Sequence, residues 1–209
     1  LHNLPLDKPR PAVQSFAGQT LHRQLDHSTL AQFNQLCQSV GATLFMGLHT
    51  VFSVLLARYS NDTDIVIGTP TANREQPEIA HLIGFFVNTL VLRHDLSANP
   101  CFSDCLKQSR QTLLDAYAHQ QCPFELLVER LKVPRNLSHN PLFQVMLMWQ
   151  DNPIDPLALP GLTLCELKQN SKIAKFDLTL SCNENGDLSW EYNTALFQQT
   201  TIERMAQHF

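Results

Sequence analysis

Two early stretches carry apolar side chains at the spacing of one helical face. Leu30, Phe33, Leu36, Cys37 and Val40 predict a helix over about 28–40, with Ser28 or Thr29 as its cap and Gly41 as its end. Leu44, Leu48, Val51 and Leu55, broadened by Phe45, Phe52 and Leu56, predict a second helix over about 44–59, capped by Thr43 and apolar round most of its circumference. Such a helix belongs in the interior. The pattern then changes period. Asp64 to Gly68 is a short β-branched run and reads as an interior strand, followed by a loop over 69–74. Phe85 to Arg93 is the next strand, 102–118 a third helix, and Pro123 opens a fourth at a position where proline is tolerated. Phe143 to Trp149 is a strand and 150–161 a proline-bearing connection. Further strands are expected near 163–168, 175–183 and 187–193, the last two joined through Glu184-Asn185-Gly186-Asp187, and a helix starts near Gln199.

Helix, helix, strand, strand, helix, helix, strand, hairpin and helix make an α/β arrangement, an α+β two-layer sandwich: one mixed sheet with helices on one face. Residues 1–20 stand apart. Pro5, Pro9 and Pro11 in a polar setting predict an extended linker leading into the domain, with 21–209 as the domain itself, cut at both ends from something longer.

Composition narrows the function classes. Charged residues are 16% of the chain against 44% hydrophobic, which predicts a packed domain or a surface meant to be covered. The net charge is -4 and there is no Lys/Arg run, so no nucleic-acid partner is expected. Phe45 to Tyr59 is too short and too polar to span a bilayer, and no signal peptide opens the chain, so the expectation is a cytoplasmic protein with no membrane partner. Six cysteines show no zinc spacing and read as free, buried thiols. Nine histidines are scattered, and no Walker loop, Gly-x-Ser-x-Gly or His-Glu-x-x-His is present. Spacing alone marks no catalytic residue and no metal site.

Four segments taken together carry a resemblance. Ile65 to Arg74, Ile83-Gly84-Phe85-Phe86-Val87-Asn88-Thr89-Leu90-Val91-Leu92-Arg93, His119-Gln120-Gln121-Cys122-Pro123-Phe124-Glu125 and Arg135-Asn136-Leu137-Ser138-His139-Asn140-Pro141-Leu142-Phe143-Gln144 follow one another in this order. They resemble the signature blocks in the C-terminal half of nonribosomal peptide synthetase condensation domains, with Gln121 and His139 at positions where the family more often has Asp and Arg. The Leu4 to Pro11 segment and the Lys175 to Leu178 and Trp190 to Phe197 segments are also similar to the family.

The resemblance implies one lobe of a chloramphenicol-acetyltransferase-like fold, in which two lobes form a V around a tunnel. It implies amide-bond formation between carrier-bound thioesters, with upstream and downstream peptidyl carrier proteins, an adjacent adenylation domain and a missing N-terminal lobe as partners. The substrates ride on the carriers' phosphopantetheine, and no cofactor is expected on this lobe. The family's catalytic His-His-x-x-x-Asp-Gly belongs to the N-terminal lobe and is not in this sequence. The isolated chain is therefore expected to be inactive and to self-associate through the surface the other lobe would cover. A docking or gating module without chemistry, or half of an epimerization or cyclization domain, are the alternatives.

Candidate tunnel residues follow from polar side chains set in apolar strands or blocks: Asn88, Gln144, Asp177, Ser138 and Gln120. Each has a structural reading beside the functional one, since a polar group in an apolar strand must find hydrogen bonds. Arg74, Arg93 and Arg135 are candidates for contacting a carrier or its phosphopantetheine phosphate, against internal ion pairs for the first two and an exposed charge or ion pair for the third.

Overall fold

A computed structural model describes residues 1–74, 76–150 and 172–209. The elements are β1 (Gly18–Gln24), α1 (His27–Ser39), α2 (Leu44–Ser60), β2 (Asp64–Thr71), a helical turn α3 (Pro77–Ala80), β3 (Asn88–Asp95), α4 (Phe102–Ala118), α5 (Phe124–Arg130), β4 (Val145–Trp149), β5 (Leu178–Cys182), β6 (Asp187–Asn193) and α6 (Gln199–His208). The expected connection over 150–161 and strand near 163–168 fall, apart from Gln150, outside the described residues.

The six strands form one sheet in the order β1-β6-β5-β4-β2-β3. The central pairs β5–β4 and β4–β2 are parallel, and the pairs towards both edges are antiparallel. This is the expected mixed sheet. Alternation along each strand decides the two faces. Ile65 and Ile67, Val145 and Leu147, Leu178 and Leu180, Leu188 and Trp190 share one buried core with Phe52, Leu55 and Leu56 of α2 and Ile202 and Met205 of α6. Phe52 and Phe209 meet Trp190 edge-on, at ring-centroid distances of 5.9 and 5.6 Å. A second cluster joins α1, α2 and α4 to β3 through Cys37, Met46, Leu92, Leu106 and Leu113. Gly47 makes the α1–α2 contact possible: a Cβ there would collide with Cys37 Sγ.

Several boundaries differ from the periodicity reading. The cap of α1 is Asp26, not Ser28 or Thr29, because its carboxylate accepts from Thr29 N–H and from both of those hydroxyls. Those bonds hold the Asp26 carboxyl down at about 2. Thr43 does cap α2, and Gly41 follows α1 at φ +70°. β3 begins at Asn88, because 81–87 leave the sheet as a loop. β1 has no apolar run (Gly-Gln-Thr-Leu-His-Arg-Gln) and exists through its pairing with β6. Among the five described cysteines, Cys101 and Cys122 are exposed, a correction to the expectation of uniformly buried thiols.

The proline-bearing N-terminal segment has no regular secondary structure before β1, which begins at Gly18 inside the expected 1–20 linker, and is tied down at several points. Leu4 is buried in the main core. Asp7 and Lys8 donate their N–H groups to the Leu196 carbonyl. The Asp7 carboxylate accepts from Gln198 N–H at 2.8 Å and from the Thr201 hydroxyl at 2.9 Å. It therefore caps α6 from 191 residues away, at the end where a helix favours negative charge.

Candidate functional site

The polar residues singled out in the sequence fall into two groups at different places on the fold. The first lies at the start of β3. Asn88 Nδ2 donates to the Gln120 and Cys122 carbonyls, both at 2.7 Å, and its Oδ1 accepts from Phe124 N–H at 3.2 Å. One side chain thus closes the α4–α5 turn and fixes the first turn of α5. Thr71, opposite Asn88 in the β2–β3 register, donates its hydroxyl to Gln120 Oε1 at 2.7 Å. Pro123 precedes α5 and Glu125 sits in its first turn.

Beside this knot the 81–87 loop projects outward. Ile83 and Phe85 are almost wholly exposed, at 104% and 92%, with Leu82 and Val87 about half exposed. Arg74 gives the loop its shape. Its guanidinium donates to the carbonyls of Ile79, Leu82 and Gly84 and lies 4.2 Å from the centre of the Phe86 ring. Arg93 is spent elsewhere, in a two-point ion pair with Asp64 at 2.8 and 3.0 Å.

The second group surrounds Asp177, which is buried just before β5. Arg10 holds its carboxylate with both terminal nitrogens, and His2 Nε2 lies 2.7 Å from Oδ2. Leu4 N–H donates to His2 Nδ1, so the ring proton sits on Nε2 and points at Asp177. Burial alone pushes the Asp177 carboxyl up. The hydrogen bonds of His2 and Arg10, with the Arg10 charge, outweigh it and hold the group below its usual range. Gln144 is part of the same network: its Oε1 accepts from His2 N–H at 3.0 Å and its Nε2 donates to the Asn140 carbonyl at 2.9 Å. Ser138 closes a local turn on Asn136 Oδ1, and its carbonyl accepts from Arg10.

Between the two groups lies an aromatic row. Phe143 meets Phe124 at 5.6 Å and Phe176 at 5.4 Å. Its ring covers Gly68, on the sheet face opposite the α2 core, and leaves no space there for a Cβ. Next to this row is an open groove of about 830 Å³, lined by Val13, Phe16, Val128, Leu137, Arg135 and His139 among others. Lys132 and Arg135 line it together with Glu125 and Glu129, so its rim carries both signs of charge, next to exposed Leu137.

The sequence picked out Asn88, Gln120, Gln144 and Asp177 as polar residues with a task, and the structure gives each a definite partner. It missed His2, Arg10 and Thr71. His2 and Arg10 had no apolar strand around them to make them conspicuous, and the partner of each lies more than 160 residues away.

The condensation-domain family profile matches residues 1–209, the whole chain. The chain belongs to the condensation-domain family. It is 47% identical over 211 residues to one of the linear gramicidin synthase proteins of Brevibacillus parabrevis, covering 99% of this chain and 4% of that protein. It is 50% identical over 211 residues to malpinin synthetase of Mortierella alpina, covering 98% of this chain and 3% of that one. The chain thus spans a few per cent of the length of these relatives. Among solved structures it is similar to the four-domain nonribosomal peptide synthetase holo-AB3403, with TM-score 0.87 and 30% identity over 99% of this chain and 17% of that one. It is also similar to the X-domain from teicoplanin biosynthesis, with TM-score 0.89 and 28% identity over 99% of this chain and 48% of that one. The expected fold class is that of these neighbours. No single helix among the described residues is long and apolar enough to cross a membrane.

Proposed function

We propose that this chain is the C-terminal lobe of a condensation domain, which joins two carrier-bound thioester substrates through an amide bond once an N-terminal lobe is present. The observation that carries the reading is the exposed apolar loop. Leu82, Ile83, Phe85 and Val87 stand on a scaffold built by Arg74, beside the Asn88 knot. An ordered apolar projection of this kind marks a surface that another body covers. The matching X-domain is about twice as long as the region this chain covers, which leaves room for a second lobe.

Amide formation needs an amine held against a thioester carbonyl, a group to take its proton and donors for the oxyanion. This lobe contributes shape. Asn88 and Thr71 fix the α4–α5 turn, Arg10 and Asp177 fix the segment arriving from the other lobe, and the proton-accepting histidine is supplied by that lobe. The apolar-floored groove around Arg135 is the carrier-facing surface, where a phosphopantetheine phosphate meets Lys132 and Arg135 on a rim that also carries Glu125 and Glu129. In this reading the downstream carrier and the adenylation domain lie on the groove's side of the lobe.

The test is reconstitution. Carrier proteins loaded with donor and acceptor thioesters are mixed with the chain alone and with the chain joined to an N-terminal lobe carrying His-His-x-x-x-Asp-Gly, and the carrier-bound product is weighed by mass spectrometry. Product only from the joined form is the expected result. Turnover by the chain alone overturns the assignment.

A second reading has its own support. One solved structure with TM-score 0.87 is a complex of the X-domain with OxyB. A lobe that docks a partner and performs no chemistry fits the same fold, and a joined form that binds loaded carriers without making product selects it.

A further inference from the structure

The helix side of the sheet holds a polar cluster that neither site uses. His49 on α2 and His94 on β3 are both completely buried, with their rings stacked at a centroid distance of 5.7 Å and an interplanar angle of 13°. From α4, the Ser109 hydroxyl lies 2.5 Å from His49 Nδ1 and donates to the Met46 carbonyl at 3.1 Å. The hydroxyl's proton is therefore engaged with Met46, and its oxygen accepts the His49 Nδ1 proton. That leaves His49 Nε2 bare. Neither it nor either nitrogen of His94 has a hydrogen-bond partner among the described residues.

The groups that act on the pair are few. From β3, the Asp95 carboxylate favours a charged His94, and the Gln108 side chain on α4 does the same, but burial is the larger influence and disfavours it. No carboxylate acts on His49. Burial and the neighbouring His94 together lower it to about 3. A proton placed on His49 Nε2 would sit between α2, α4 and β3 with no acceptor, and one on His94 would have only the Gln108 side chain to turn to, in each case with the other ring against it.

We propose that the His49–His94 stack is an acid-sensitive clasp: neutral, it binds α2 and α4 to edge strand β3, and protonated, it releases that strand together with the Asn88 knot at its other end. The two histidines take up protons readily only when β3 has opened. Opening is therefore unaffected by pH above the free imidazole value of about 6.5. As pH falls below it, the opening equilibrium grows about tenfold per pH unit for each histidine, until the folded form titrates as well. The device is independent of the assignment to a condensation lobe, since it rests on the packing of three elements alone.

Two measurements on the purified 209-residue chain test it. Ring ¹⁵N–¹H NMR follows His49 and His94 from pH 7.5 to 4.5, and hydrogen exchange gives opening constants for β3 amides relative to those of β5 over the same range. His49 is expected to stay neutral in the folded chain and His94 to titrate below the free imidazole, while β3 opening rises about tenfold or more per pH unit below pH 6 and β5 lags behind. His94→Phe keeps the aromatic stack and removes one titrating group, so its β3 opening rises no more than about tenfold per unit. A folded-state ring that titrates near 6.5, or β3 opening that ignores pH, overturns the clasp. If His94→Phe does not fold, the wild-type titration and exchange decide the question by themselves.

Discussion

Asn88 Nδ2 donates to the Gln120 carbonyl at 2.7 Å, across 32 residues of sequence. With the bonds to Cys122 and Phe124, this amide uses both its donors and its acceptor on backbone groups of a single turn. The variant Asn88→Ala is expected to lose about 2–3 kcal/mol, since three bonds of about 1 kcal/mol each disappear from a partly buried place. Asn88→Asp should do no better, because a carboxylate replaces the donating amide opposite two carbonyl oxygens. Chemical denaturation checks the magnitude, and faster hydrogen exchange at 119–124 locates it. An Asn88→Asp variant as stable as the wild type would remove the donor role.

A second expectation concerns Asp177. Changing it to Ala leaves Arg10 and His2 without their shared carboxylate in a largely buried place, and breaking a buried pair in this way costs about 3–5 kcal/mol. The pH dependence has a definite sign. The folded-state carboxyl lies below its ordinary value, so its contribution is complete above about pH 4 and is lost as pH falls through the folded-state value. Urea melts of wild type and Asp177→Ala should differ most at neutral pH and converge in strong acid. A gap that stays constant down to pH 2 contradicts the ion pair.

Gly68→Ala is expected to destabilise by about 1–3 kcal/mol through overpacking, because the new methyl runs into the Phe143 ring. Phe143→Leu in the same chain should recover part of that loss, since the two positions compete for one space. The double-mutant cycle should therefore be non-additive. Additive costs would mean that the ring does not rest on the glycine.

Replacing Asp7 by Ala removes the remote cap of α6 and should cost about 1–2 kcal/mol. Asp7→Asn keeps an acceptor for Gln198 N–H and should retain about half of the effect. Trp190 fluorescence reports the transition, because Phe209 beyond α6 packs on its ring. Equal melting midpoints for Asp7→Ala and wild type would mean that α6 does not depend on this carboxylate.

The helices are legible in the sequence because their apolar faces are long and regular, as Leu30 to Val40 and Leu44 to Leu56 show. β1 is not. Its stability comes from β6, whose residues lie about 170 positions away, and its own side chains carry no period. Asn88, Gln144 and Asp177 are conspicuous as polar groups among apolar neighbours, yet their partners are invisible for the same reason. A hydrogen bond from Asn88 to a backbone carbonyl leaves no trace in the identity of the residue that accepts it. The Phe85 loop reads as strand because its apolar residues match a strand pattern. What composition does not tell is that Arg74 gathers three of the surrounding carbonyls and turns those side chains outward.

The tied-down N-terminal segment has a consequence for the order of assembly. Its fixed points are Asp62, Ser138, Gln144, Asp177, Thr194, Leu196, Gln198 and Thr201, most of them in the last third of the chain. On a ribosome, which delivers the chain from its N-terminal end, residues 2–10 are made before any of these partners and must wait for them. The helices α1, α2 and α4 meet their neighbours early, whereas the first ten residues settle only after β5, β6 and α6 have emerged. The earliest part of this chain to be synthesised is thus among the last to find its place, and a fold whose two ends close on each other in this way is slow to begin and cooperative once complete.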